Sequence, residues 1–144
     1  MMTAEDLCLT ACGLFFLTGL LTGIWKYAST RRSPGFRPPR YISISHRTAL
    51  MYSFACLVLL ELTRRGRLPD LIETAVVAAL IIFFALAQGA YILHGLMRDT
   101  ENQLALPHRF GSRQLPPWMI TLFMLALILV EVTGFLILFI AALV

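Results

Sequence analysis

Charge is scarce in this sequence. Only 14% of its 144 residues are Asp, Glu, Lys or Arg, 58% are hydrophobic, and mean hydropathy is +0.78. A soluble domain needs more charge than this to cover its surface, so a soluble enzyme or binding module is not expected. Cysteine is equally sparse. Cys8, Cys12 and Cys56 are odd in number, form no C-x-x-C, and all fall in apolar stretches. No disulfide framework or zinc site follows, and the three read as small packing residues. There is no G-x-S-x-G, no glycine-rich phosphate loop and no C-x-x-C-H, so a nucleophile-based hydrolase is not expected either. The start, "MMTAEDLC", lacks a positive region and the apolar run after it exceeds a signal core, which argues against a cleaved signal.

What the chain does have is four apolar runs. Leu7 to Trp25 is uncharged, and so is Thr48 to Leu60, which extends back through Ile42 and on through Leu62. Thr74 to Met97 has no Asp, Glu, Lys or Arg, and Pro117 to Val144 carries only Glu131. A spanning helix needs roughly 20 mostly apolar residues, and backbone in lipid must satisfy its own hydrogen bonds. The expected fold class is therefore an all-α integral membrane protein. It forms a single bundle of four transmembrane helices, with spans near 7–28, 42–63, 71–97 and 117–143.

Basic residues divide unevenly between the connections. Loop 1 holds Lys26, Arg31, Arg32, Arg37, Arg40 and Arg47, and loop 3 holds Arg98, Arg109 and Arg113, whereas loop 2 has only Arg64, Arg65 and Arg67. The positive-inside rule then places loops 1 and 3 in the cytoplasm and both termini outside. The net charge of +4 reads as topology and contact with membrane lipid headgroups, and nucleic acid is not expected as a partner. All three histidines, His46, His94 and His108, fall at the same predicted face as the long loops.

Several residues invite a function. Gly19 and Gly23 form a G-x-x-x-G, which suits close helix packing, within one chain or between subunits. Glu131 lies deep in span four, where a carboxylate serves as a proton relay or as a structural acid in the bundle or at a subunit seam. Glu61 is placed to pair with Arg64 or Arg65. His46 opens span two and reads either as an interfacial side chain or as a metal or haem ligand. His94 follows Tyr91 by three positions, on the same helix face.

The order of these features resembles a known family. The stretches "SHRTALMY" (Ser45 to Tyr52), "GAYIL" (Gly89 to Leu93) and "PHRFG" (Pro107 to Gly111) are similar to the motifs of styrene oxide isomerase, with the interval from His46 to Tyr91 preserved. The likeness covers Tyr41 to Gly111 and continues weakly through span four. It implies a homotrimer in a bacterial inner membrane that holds haem b near subunit interfaces, with His46 as axial ligand of the ferric iron. It also implies isomerisation of a small aryl epoxide to an aldehyde, with Tyr91 in the substrate site. Tyr52 stands where the family has an asparagine, Thr48 where it has a glycine, and His108 where it has the loop asparagine. Tyr52 is then a hydroxyl donor or the mark of a different substrate. Arg47 is a candidate for a haem propionate, and Asn102, His108 and Arg109 for a loop that caps the pocket. A second ligand from His94 or His108 would favour electron transfer instead. Six positions separate His46 from Tyr52, about 120° around a helix, which suits a site shared between subunits.

Overall fold

A computed structural model describes residues 2–144. Four helices fill most of the chain: α1 (Ala4–Arg32), α2 (Arg40–Arg65), α3 (Asp70–Met97) and α4 (Pro117–Leu143). All four are long and apolar enough to cross a membrane, so the chain is an all-helical, multi-pass membrane protein. α1 and α2 reach beyond their expected spans at both ends, α3 starts one residue early, and α4 matches its span, because a helix ends where capping chemistry stops it rather than where lipid ends. α1 begins with a capping box in which Thr3 accepts from the Asp6 amide at 3.1 Å and Asp6 accepts from the Thr3 amide at 3.0 Å. It runs on through Arg31 and Arg32 and stops ahead of Pro34, and α2 cannot start until Pro38 and Pro39 are passed. Loop 1 is therefore much shorter than its polar sequence suggests, with one 3-10 turn at Pro34–Phe36. Loop 3 is longer and carries a two-stranded hairpin, β1 (Arg109–Phe110) and β2 (Arg113–Gln114), in which Phe110 pairs with Arg113.

Loops 1 and 3 lie together at one end of the bundle, where the Gln103 amide donates to the Tyr41 hydroxyl at 2.5 Å. Loop 2 and the start of α1 share the opposite end, joined by an ion pair of Arg64 with Glu5 at 3.0 Å. Arg65 takes Glu61 at 2.6 Å along α2, so of the two partners open to Glu61 the residue at i+4 is used. Both pairs are exposed and contribute little. The apolar core occupies the loop 2 half. Cys8, Ala11 and Phe15 of α1 meet Cys56, Leu59 and Leu60 of α2, Val77, Leu80 and Phe84 of α3, and Leu138 of α4. The cysteines are free thiols.

Between the helices, small residues set the distances. At Gly19 a Cβ would lie 2.5 Å from Leu50 Cδ2, and at Gly23 it would lie 3.0 Å from His46 Cε1. The G-x-x-x-G is thus spent within the chain, seating two side chains of α2 against α1. Gly95 plays the same part for α3, where a Cβ would meet Trp25 at 2.9 Å and the backbone nitrogen of Ile42 at 3.4 Å. Polar pairs bridge the helices as well. Ser53 donates to the Cys12 carbonyl at 3.1 Å, and Gln88 donates to the Ser45 hydroxyl at 2.8 Å and the Ser45 carbonyl at 3.1 Å. α4 is the loosest partner, burying only Gly134 and Leu138.

Two alanine substitutions should separate packing from propensity. Gly95→Ala is expected to lower stability by about 1–3 kcal/mol, because backbone faces the new methyl. Gly13→Ala, with nothing within 4 Å of its Cβ, should be neutral or stabilising by about 0.5–1 kcal/mol. Thermal unfolding in detergent reads both, and equal effects would remove the close-packing account.

Candidate functional site

His46 stands on the first turns of α2 and faces α1. Its Nδ1 lies 2.8 Å from the Gly19 carbonyl oxygen. A carbonyl only accepts, so the proton sits on Nδ1 and the ring has one defined neutral tautomer. Nε2 then carries a lone pair, and it has no hydrogen-bond partner among the described residues. The ring is half-buried, and Nε2 is not among the enclosed unpartnered atoms, which are Gln88 Oε1 and Glu131 Oε1. Metal-ligating histidines share this arrangement, with one nitrogen anchored to a backbone carbonyl and the other open, so the His46 donor is chemically compatible with a haem iron. Arg47, next along, points outward and is exposed.

The two tyrosines face elsewhere. Tyr52 is sandwiched between Phe15 of α1, at 5.6 Å between ring centroids, and Phe84 of α3, at 4.4 Å and nearly parallel. Tyr91 stacks on Tyr41 at 6.2 Å. No aromatic contact or hydrogen bond joins either of them to His46. Tyr52 thus packs against α1 and α3 and Tyr91 against α2, while His46 faces α1. The amide Gln88 escapes a scan for charge, yet its single polar group in an uncharged run was a signal that could be read.

Loop 3 is pinned rather than loose. His94 donates from Nδ1 to Asp99 Oδ1 at 2.8 Å, and Asp99 Oδ2 accepts from the Gly111 amide at 2.6 Å. The side chains of this pair are only 7% and 4% exposed, so it is a buried hydrogen-bonded pair, which is an ion pair only when His94 is protonated. Tyr41 packs on the His94 ring at 5.1 Å and Phe110 meets it edge-on at 6.0 Å. His108 is buried and donates from Nδ1 to the Gln103 carbonyl at 3.0 Å, which makes it a loop brace. Asn102 is exposed and turns the chain by accepting from the Leu104 amide at 3.0 Å.

Under this loop, between α3 and α4, lies an apolar cavity of about 350 Å³. Leu86, Leu93, Phe110, Ile120, Phe123 and Met124 supply most of its wall, with His94, Gln103 and Arg109 as polar members. Gly89 and Ala90 line it, but neighbouring Tyr91 does not, and neither does Tyr52. The volume and the apolar wall suit a small aromatic molecule.

The fold and these sites define a class, a polytopic four-helix membrane protein with an anchored, open histidine beside α1 and an apolar cavity beside α4. Comparison carries the identification no further: no family model matches the chain, and neither does any curated protein or solved structure.

Asp99 gives a test of the loop. Burial pushes its carboxyl up, but the bonds from His94 and the Gly111 amide outweigh it and hold the group below its ordinary value of 3.8. The folded state thus favours the carboxylate, a contribution complete above that value and lost as pH falls below it. Asp99→Asn cannot accept from both donors, and should lose about 1–3 kcal/mol at neutral pH. Its melting temperature in detergent should also fall less steeply than that of the native protein between about pH 5 and pH 3. An equally steep acid fall in the variant would take the Asp99 carboxylate out of the account.

Proposed function

We propose that the protein is a haem-dependent isomerase of small aryl epoxides, with His46 as the single axial ligand. The observation that carries this reading is the His46 tautomer, set by Gly19, with Nε2 unpartnered. Ferric haem b, when bound, would supply Lewis acidity toward the epoxide oxygen, the chemistry an epoxide-to-aldehyde isomerisation needs, with no net redox change.

The chain's own residues would do the rest. Gly23 holds the His46 ring flat against α1, so that the ligand does not swing. The apolar cavity takes the aryl group and keeps water from trapping a cation. Tyr91, whose hydroxyl has no partner among the described residues, is the candidate to orient the epoxide oxygen, with Tyr52 as a second hydroxyl, both standing outside the wall of the apolar cavity. Arg47 and Arg109 offer guanidinium groups for the propionates, with Asn102 and His108 shaping the loop above.

His46 lies on the α1–α2 side and the cavity on the α3–α4 side, so the site assembles between subunits of a homotrimer. The weakly buried α4 supports such a seam. The excess of basic residues on loops 1 and 3 supports a cytoplasmic position for that end in a bacterial inner membrane. A second reading, haem electron transfer or sensing, is favoured by His94, whose Asp99-backed ring also has an unpartnered Nε2.

Purified protein should show a Soret band with a five-coordinate ferric spectrum, lost in His46→Ala and weakened in Gly23→Ala. It should convert styrene oxide to phenylacetaldehyde, with Tyr91→Phe slowing turnover by about 100-fold while the spectrum persists. A six-coordinate low-spin spectrum that reverts in His94→Ala selects electron transfer. Haem-loaded protein that leaves a panel of aryl epoxides unchanged ends the isomerase reading.

A further inference from the structure

At the loop 1 and loop 3 end there is a second, polar cavity of about 320 Å³, distinct from the apolar one and shared with it only through His94. Its wall brings together Arg37 of loop 1, Arg40 of the first turn of α2 and Arg98 at the end of α3, with the Thr100 hydroxyl and one carboxylate, Glu101. Among the described residues, none of the three arginines has a carboxylate oxygen within 4.0 Å, whereas Arg64 and Arg65 at the other end both do. Three guanidinium groups facing one acid leave the cavity short of negative charge.

The backbone adds to this. Pro39 stands at the N-cap of α2 and offers no side-chain cap, so no capping side chain takes the amides of the first turn, whose Pro39, Arg40 and Tyr41 line the cavity edge. Such a helix start attracts anions. Arg98 has a φ of 51°, in the left-handed region, where a helix C-cap ordinarily takes glycine. That strain keeps an arginine where glycine would be cheaper. His94, only 6% exposed, forms part of the wall, and its second ring nitrogen has no partner.

We propose that this cavity binds a phosphate group, held by Arg37, Arg40 and Arg98 and by the start of α2. Guanidinium forks match phosphate oxygens in pairs, and this end of the bundle lies at the membrane surface. The phosphate comes from the headgroup of an anionic phospholipid or from a soluble phosphate ester or free phosphate. The inference is independent of haem and of the isomerase reading.

The test uses the full chain in detergent and in nanodiscs. Inorganic phosphate is titrated against thermal unfolding, and native mass spectrometry counts phosphatidylglycerol retained from mixed phosphatidylglycerol–phosphatidylcholine discs. Arg98→Gly removes a guanidinium while relieving the left-handed strain, so its fold is preserved, and it should weaken binding by about 10-fold. Arg37→Ala should do the same, and Arg113→Ala, outside the cavity, should not. Retained phosphatidylglycerol that inorganic phosphate does not displace supports the headgroup. Stabilisation by phosphate with no retained lipid supports the soluble source. If neither probe binds, or if Arg113→Ala weakens binding as much as Arg98→Gly, the site is overturned.

Discussion

The close approach of α1 and α2 at Gly19 and Gly23 is the constraint on which the candidate chemistry depends. Without side chains at those positions, Leu50 and His46 sink against the α1 backbone, near enough for the Gly19 carbonyl to reach His46 Nδ1 at 2.8 Å. The Gly19 carbonyl, which also accepts from the Thr22 hydroxyl at 3.1 Å, takes His46 Nδ1 as a further donor. One contact thereby sets helix spacing, ring orientation and tautomer together. Any chemistry at Nε2 inherits its direction from two glycines on another helix.

The rest of the bundle divides its labour along its length. Apolar interdigitation among Phe15, Leu59, Leu80 and Leu138 holds the loop 2 half. In lipid such packing acts through dispersion and shape, since tails are as apolar as leucine. Toward the other end, the holding contacts become polar: Gln88 to Ser45, Tyr41 to the Gln103 amide, and His94 to Asp99. There the chain nears water, and buried polar contacts hold best where their members are satisfied, as Gln88 Oε1, left without a partner among the described residues, is not. Asp99 meets that condition with two donors on two oxygens. The result is a braced loop 3 that roofs the apolar cavity and walls the polar one.

Much of the fold was legible in the sequence, and for a definite reason. Runs such as Thr74 to Met97 leave no way to satisfy backbone in lipid except a helix. Helix ends were less legible, since Arg31 and Arg32 look like loop residues yet continue α1 until proline intervenes. Of the site, the histidines were visible as residues but not as roles. His108 turned out to brace a carbonyl and His94 to hold Asp99, both decided by loop partners five positions away whose geometry no helical spacing rule covers. The G-x-x-x-G was visible with two readings, and only the facing Leu50 and His46 chose between them.

By itself, then, the sequence determined the class, the number of helices and the end at which basic side chains and histidines gather, because those follow from composition and from the cost of bare backbone in lipid. Tertiary structure alone decided which nitrogen of His46 is free, which arginines lack a partner and where the cavities open. Each of these depends on atoms brought from other helices, in the case of His46 from a carbonyl 27 residues away.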